Sequence, residues 1–455
     1  MTPVHSTLFS ILCLAACFCR AEDNYSSRLA LSAIQLTTTS KSEQVQQLVS
    51  TGLQHCLYGY REGALRAFQE VLKEEPGCIM AHIGMLMIQP IGSEAYRYHL
   101  QQLNVCMQEA VLNPVEEWYV STFLQYLNGD YTGTAQAFKE RASRYRRDYM
   151  AACWDLALNH RTGEQGSTLL PRAQSLINRL PDEPLPLFLL AMLDEQKPTP
   201  SPAALEAARR AVQLTAQMPH PSICQLAGHL AFQAGQSQEA HRYFQTALSC
   251  CDKNSEVAIA SRLYQIAIWT QQSKDKKKRI QALTAARQLA QEAEQAGLST
   301  DAGTLLFWEG KTMLLRLLVL QSTPPGGPAI NMASKSCHAP DDSPLRLVQD
   351  CLVTAIQTRS LAETGRLSTA TELLPKAEQY LARLQREGEQ LKRQGGMTRI
   401  CYLRAERACA AALFRARLAL YKDSADIWKP RLDEVLELPG PRLLPPILPC
   451  EGKNQ

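Results

Sequence analysis

Along most of the chain, apolar residues return every third or fourth position, in runs separated by short polar or Gly- and Pro-containing breaks. That spacing turns one face of an α-helix toward a core. It predicts helices from Glu94 to Val111, Cys153 to Asn159, Leu187 to Leu193, Ala203 to Ala216, Val257 to Trp269, Arg279 to Ala296 and Thr304 to Leu320. Further helices are expected from Leu345 to Thr358, Ala370 to Lys392 and Thr398 to Tyr421, with Gly395-Gly396 separating the last two. β-branched runs bounded by Asn-Gly-type turns are scarce, so the fold class is all-α.

The helices recur in pairs. Small and large residues fall at Gly52, Ala64, Phe68, Val71 and Pro76, offsets of +12, +16, +19 and +24, and Gly228, Ala240, Phe244 and Ala247 repeat the first three. A degenerate copy runs from Trp118 to Phe138 with Asn128-Gly129-Asp130-Tyr131 as its turn, and Ala234 to Gln238 is the turn of the Gly228 copy. Gly or Ala lets two helices of a hairpin cross closely, the aromatic fills the space toward the next hairpin, and Pro76 stops the second helix so that a new one begins near Cys78.

These spacings resemble the tetratricopeptide repeat. The resemblance implies a helical-hairpin solenoid, a right-handed superhelix, with about 34 residues per unit and room for roughly ten helix pairs. The stretch through His55, Ala64, Phe68, Pro76-Gly77-Cys78, Met80-Ala81-His82 and Gly84 is similar to a group of secreted bacterial tetratricopeptide proteins with the motif F-x-x-x-A-x-x-x-F followed by D-P-x-C-A-M-A-x-W-G. Asp426 to Arg431 resembles that group's W-x-x-P-[VL]-R ending. Where the group has a His-rich helix before a Gly-Arg-Tyr turn, Ala227 to Gln236 keeps one comparable histidine, His229. The group carries no activity to transfer.

Residues 1–21 differ from the rest: an apolar stretch from Leu8 to Cys17, too short for a bilayer, precedes small residues and reads as a signal peptide. Two processing readings stand: cleavage after Ala21, or a lipobox at Leu14-Ala15-Ala16-Cys17 with Cys17 lipidated and the chain attached to a membrane through it. The remaining organisation is a repeat region over 30–321, a Pro- and Gly-rich loop over 322–344, and a C-terminal helical region over 345–455. No later run is long and apolar enough for a transmembrane helix. The chain is expected to be exported to a periplasm or envelope.

Charge narrows the function. Lys and Arg (48) nearly balance Asp and Glu (44), and aromatics make up 7%, so neither a phosphate-coating surface nor a base-stacking platform is indicated and nucleic acid is excluded as a partner. The basic cluster Lys274 to Arg279 reads as a solvated turn before a helix, and Arg141-Arg144-Arg146-Arg147, interleaved with Tyr145 and Tyr149, as a helix end for which phosphates or an acidic partner are the alternative reading. The cysteines, among them Cys56, Cys78, Cys153, Cys224, Cys351 and Cys409, fall at helical core positions without a CxxC pair, and read as small buried residues. Nine histidines are scattered; His220 and His229 are the nearest to a ligand pair, and nine residues apart they share no helix face. No nucleophile–base set, phosphate loop or metal cluster appears, so no catalytic residue, metal site or cofactor is assigned.

The expected function is that of a scaffold holding a protein or peptide in the concave groove of the helix stack. A glycan-binding lipoprotein of the SusD type is the alternative, and an enzyme with an unrecognised site the third. In the repeat register the groove residues are Tyr119, Phe123 and Tyr126 in the degenerate copy, and Gln225, His229 and Phe232 in the Gly228 copy.

Overall fold

Each helix begins where a side chain can accept the free amides of a first turn and ends where the chain can turn back. The computed structural model describes residues 32–89, 92–194, 199–253, 255–271, 276–296, 344–363, 365–394, 406, 409–410, 412–421, 426–427 and 429–430. The helices are α1 (Glu43–Tyr58), α2 (Arg61–Glu74), α3 (Ile79–Ile88), α4 (Glu94–Glu109), α5 (Pro114–Leu127), α6 (Tyr131–Arg144), α7 (Tyr149–Arg161) and α8 (Gly166–Arg179). They continue as α9 (Pro184–Asp194), α10 (Pro202–Leu214), α11 (Pro221–Gln233), α12 (Ser237–Ser249), α13 (Glu256–Gln271), α14 (Lys276–Ala296), α15 (Pro344–Glu363) and α16 (Leu367–Gln394). Among the described residues no strand occurs. Ser42, Ser93, Asn113, Asp130, Asp148 and Ser201 cap helix N-termini with their side chains, and Gly59 closes α1 at φ 67°.

The chain divides into two units, Met1–Glu195 with Pro200–Leu230, and Gln196–Thr199 with Ala231–Gln455. The division falls inside α11, within the stretch 30–321 that the sequence reads as one repeat region.

In the first unit successive helices pair as hairpins: α1 with α2, α3 with α4, α5 with α6, α7 with α8, and α9 with α10. First helices of successive hairpins also pack on one another, α1 on α3, α3 on α5 and α7 on α9. The layer then returns on itself, because α1 also packs against α7 and α9. Burial follows from the neighbours, with α3 packed by α1, α2, α4 and α5 and α9 by α1, α7, α8 and α10. Every residue of α3 is buried, and α9 is buried from Leu185 to Asp194. The outer helix α4, by contrast, buries only His99 and Leu103. The second unit has its own core, in which Ile259, Leu263 and Ile266 of α13, Ala282, Ala286 and Leu289 of α14, Val348, Cys351 and Leu352 of α15, and Leu374 and Ala377 of α16 come together with Cys409 and Leu413.

The small-residue positions have a visible purpose. A Cβ built on Gly52 would meet Phe68 Cε1 at 2.5 Å, and one on Gly84 would overlap Cζ of the same ring. The wholly buried Phe68 ring of α2 is therefore held between the glycines of α1 and α3. Ala64 is likewise fully buried, and Pro76 lies in the turn between Glu74 and Ile79. In the Gly228 copy, Ala240, Phe244 and Ala247 are buried and Phe244 stacks on Tyr264 at 5.0 Å. The signal-peptide stretch with Cys17, the helix expected from Thr304 to Leu320, residues 322–343 of the loop, and Gly395-Gly396 lie outside the described residues.

Candidate functional site

Residues Ser32 to Ser40 form no helix but run extended across the first unit. Burial alternates along them: Ser32, Ile34, Leu36 and Thr38 are buried, whereas Ala33, Gln35, Thr37 and Thr39 are exposed. A period of two belongs to an extended chain seated on a surface. Here the surface is not another strand but helix side chains that reach the segment's backbone.

At its N-terminal end Glu183, the residue before α9, accepts from Ser32 Oγ at 2.9 Å and from the Ala33 amide at 2.7 Å. Along α1, Gln54 Nε2 donates to the Ile34 carbonyl at 2.7 Å, Ser50 Oγ accepts from the Leu36 amide at 2.9 Å, and Gln46 Nε2 donates to the Ser40 carbonyl at 2.8 Å. Gln46, Ser50 and Gln54 stand four residues apart, one polar stripe on a helix whose Val45, Val49 and Leu53 are buried. The segment runs antiparallel to α1, since Ile34 meets Gln54 and Ser40 meets Gln46.

The far end is built into the start of α5. Asn113 caps that helix by accepting from the Val115 and Glu116 amides. In a closed capping box the Glu at the third helical position would return to the cap residue's own amide. Instead Thr39 is inserted between them: the Asn113 amide donates to Thr39 Oγ1 at 2.9 Å, and the Thr39 amide donates to the buried Glu116 carboxylate. Asn113 Nδ2 also donates to the Thr37 carbonyl at 3.4 Å. Glu183, Gln54, Ser50, Gln46, Asn113 and Glu116 together make a clamp that reads backbone, while the alternate buried side chains read shape.

The groove residues expected from the repeat register lie elsewhere. Tyr119, Phe123 and Tyr126 are wholly buried in α5, not lining an open surface. Phe123 meets Trp154 of α7 edge-on at 5.0 Å, and Tyr119 donates to Asp148 at 2.6 Å. The physical reason is that the rings fill the packing between neighbouring helices: Tyr119 and Phe123 lie on Phe138 of α6, Phe123 also meets Trp154 of α7, and Tyr126 meets Tyr131. Gln225, His229 and Phe232 are partly exposed on α11, with Phe232 against Tyr264 at 5.6 Å. Arg141, read as part of a basic helix end, pairs with Asp148 at 2.5 Å and covers the Trp118 ring at 4.3 Å.

Histidines pair in unexpected combinations. His220 faces His55 rather than His229, with Nε2 3.4 Å from Nδ1, inside a wall of Tyr58 and Tyr60. His82 and His99 approach through their Nδ1 atoms at 3.1 Å, and His82 Nε2 is 2.9 Å from the Pro76 carbonyl. Burial, with Arg66 nearby, pulls His55 down to about 3; burial and His82 pull His99 down to about 4. His220 is lowered well below its usual value by burial and then by His55. Burial pushes the Cys78 thiol up to about 12, and Cys56 and Cys153 rise for the same reason, so these cysteines are inert packing groups. Among the described residues no three His, Cys, Asp or Glu side chains converge as a metal site, and no helix is long and apolar enough to cross a membrane.

Sequence reasoning missed the clamp, although two signals were present: the period-two pattern of Ser32-Ala33-Ile34-Gln35-Leu36, and the polar stripe on an otherwise apolar face of α1. No protein-family model and no curated protein matches the chain. Among solved structures, that of Naa15/Naa10 bound to HypK-THB is similar at 13% identity, over 86% of this chain and 78% of that chain, with a TM-score of 0.19. So loose a superposition adds nothing to the fold described above.

Proposed function

We propose that the protein is an interaction scaffold that holds a protein or peptide partner and performs no chemistry of its own. The carrying observation is the clamp: a stack of helical hairpins whose side chains engage an extended stretch of polypeptide through its backbone. Binding by backbone bonds plus alternate side-chain seats is a recurring way for one protein to take up a segment of another. A glycan site would want open aromatic faces, whereas Tyr119, Phe123 and Trp154 are packed away in the interior.

The compartment belongs to the same proposal. The N-terminal pattern supports export to a periplasm or envelope, with Cys17 as the lipidation point if the lipobox is processed. Expressed in a Gram-negative host, the chain should reach the periplasmic side and lose export when residues 1–21 are removed; Cys17→Ala should abolish palmitate incorporation if lipidation occurs. Cytoplasmic retention of the complete chain would refute export.

The scaffold reading is tested by isolating the chain from its native source under mild cross-linking and weighing the complex by native mass spectrometry. A protein partner at fixed stoichiometry is expected. A chain that emerges alone and binds oligosaccharides would overturn it.

A further inference from the structure

The segment Ser32 to Ser40 has the bonding of a bound peptide rather than of a core element. Its contacts with Glu183, Asn113 and Glu116 come from residues far along the chain, and those at Ala33, Thr37 and Thr39 are made by side chains to its backbone. Backbone bonds are indifferent to sequence. Identity is demanded at the four buried positions, which hold a small hydroxyl residue, two aliphatics in Ile34 and Leu36, and a β-branched residue in Thr38, and at Thr39, whose hydroxyl accepts from the Asn113 amide.

One of those seats is filled imperfectly. Thr38 is 4% exposed, and its Oγ1 is buried without a hydrogen bond. A buried hydroxyl that gives up water and gains no partner weakens binding, and replacing it by a methyl of the same shape removes that cost. A valine would fill the seat without the penalty. The resident segment is thus held by backbone bonds at Ala33, Ile34, Leu36, Thr37, Thr39 and Ser40 and by a mismatched side chain at Thr38, so that a better-matched extended segment can displace it.

We propose that the clamp is an exchangeable peptide site, occupied in the free protein by residues 32–40, whose partner is an extended segment of another protein with a small residue, two aliphatics and a valine-like residue at alternate positions, followed by a hydroxyl residue that accepts from Asn113. This rests on the scaffold reading and names the partner's chemistry and its regulation: binding requires displacement of the chain's own segment. An intramolecular competitor at high effective concentration lowers apparent affinity for partners that do not match the seats better.

The test uses the full chain and a fluorescent peptide of residues 32–41, as such and with Thr38→Val. In fluorescence anisotropy, the Thr38→Val peptide should bind the wild-type chain at least about fivefold more tightly than the unmodified one. The same substitution placed in the chain should have the opposite sign, strengthening the resident segment and weakening peptide binding by a similar factor. Ile34→Asp in the chain, which unseats the resident segment, should raise peptide affinity at least about tenfold. Adding Gln54→Ala and Asn113→Ala should remove that gain.

No saturable binding to any form, or a Thr38→Val effect of the same sign in peptide and chain, would overturn the proposal even if Ile34→Asp fails to fold. A concentration-dependent wild-type dimer that Ile34→Asp abolishes would assign the clamp to a second copy of the chain and likewise overturn it. Because the peptide assay needs no native partner, its failure leaves the scaffold reading intact, and absence of a native partner leaves the peptide result intact.

Discussion

Phe68 is held on both sides by glycines whose missing side chains are the space it occupies. Gly52→Ala or Gly84→Ala must push a fully buried ring with nowhere to go, and each should cost about 1–3 kcal/mol in urea unfolding. Ala64→Trp and Ala240→Trp should cost a similar amount, since both alanines are wholly buried. Unchanged midpoints would mean that these crossings are looser than described. The histidines make a second residue-scale prediction. His55, His82, His99 and His220 are buried and lowered, so the folded state holds them neutral while the unfolded chain takes up protons near pH 6.5. Stability is therefore full above that pH and falls as the pH drops toward about 4. Each histidine contributes up to roughly 1.4 kcal/mol of loss per pH unit. Urea melts at pH 7.5 and 5.5 check this, and His55→Asn with His220→Asn should flatten the slope; stability independent of pH would contradict it.

Helices are the scale at which the sequence was most readable. The run expected from Glu94 to Val111 is α4 (Glu94–Glu109), and that from Ala203 to Ala216 is α10 (Pro202–Leu214), because apolar period and Ser or Pro at the start are local properties. The capping of α5 is not local. Its Asn113 and Glu116 stand three apart as a closed capping box would have them, yet Thr39 from well upstream takes both bonds. Thr39→Val should leave the Asn113 amide without its acceptor and cost about 1 kcal/mol, with faster hydrogen exchange in the first turn of α5. Thr37→Val should be close to neutral, because only the backbone of that exposed residue is used. Equal effects of the two substitutions would argue against the inserted Thr39.

On the scale of the whole chain, the solenoid expectation placed a concave surface along Tyr119, Phe123 and Tyr126, and in the first unit those rings are packed against Phe138, Trp154 and Tyr131 of α6 and α7. No periodicity within α5 distinguishes a residue that faces an open groove from one packed on α6 and α7, so this part was illegible in the sequence. The clamp was hidden for the same reason: Gln54, the pair Asn113 and Glu116, and Glu183 come from three distant places in the chain and share no motif. The account turns on residues 32–40 being a held yet releasable segment, and native-state hydrogen exchange of the full-length protein measures that directly. The amides of Ala33, Leu36 and Thr39, bonded to Glu183, Ser50 and Glu116, should exchange more slowly than in an unstructured peptide. They should also exchange faster than the cores of α1, α5 and α9, through a local opening insensitive to low denaturant. Random-coil exchange at these three amides, or exchange only with global unfolding of the first unit, would contradict it.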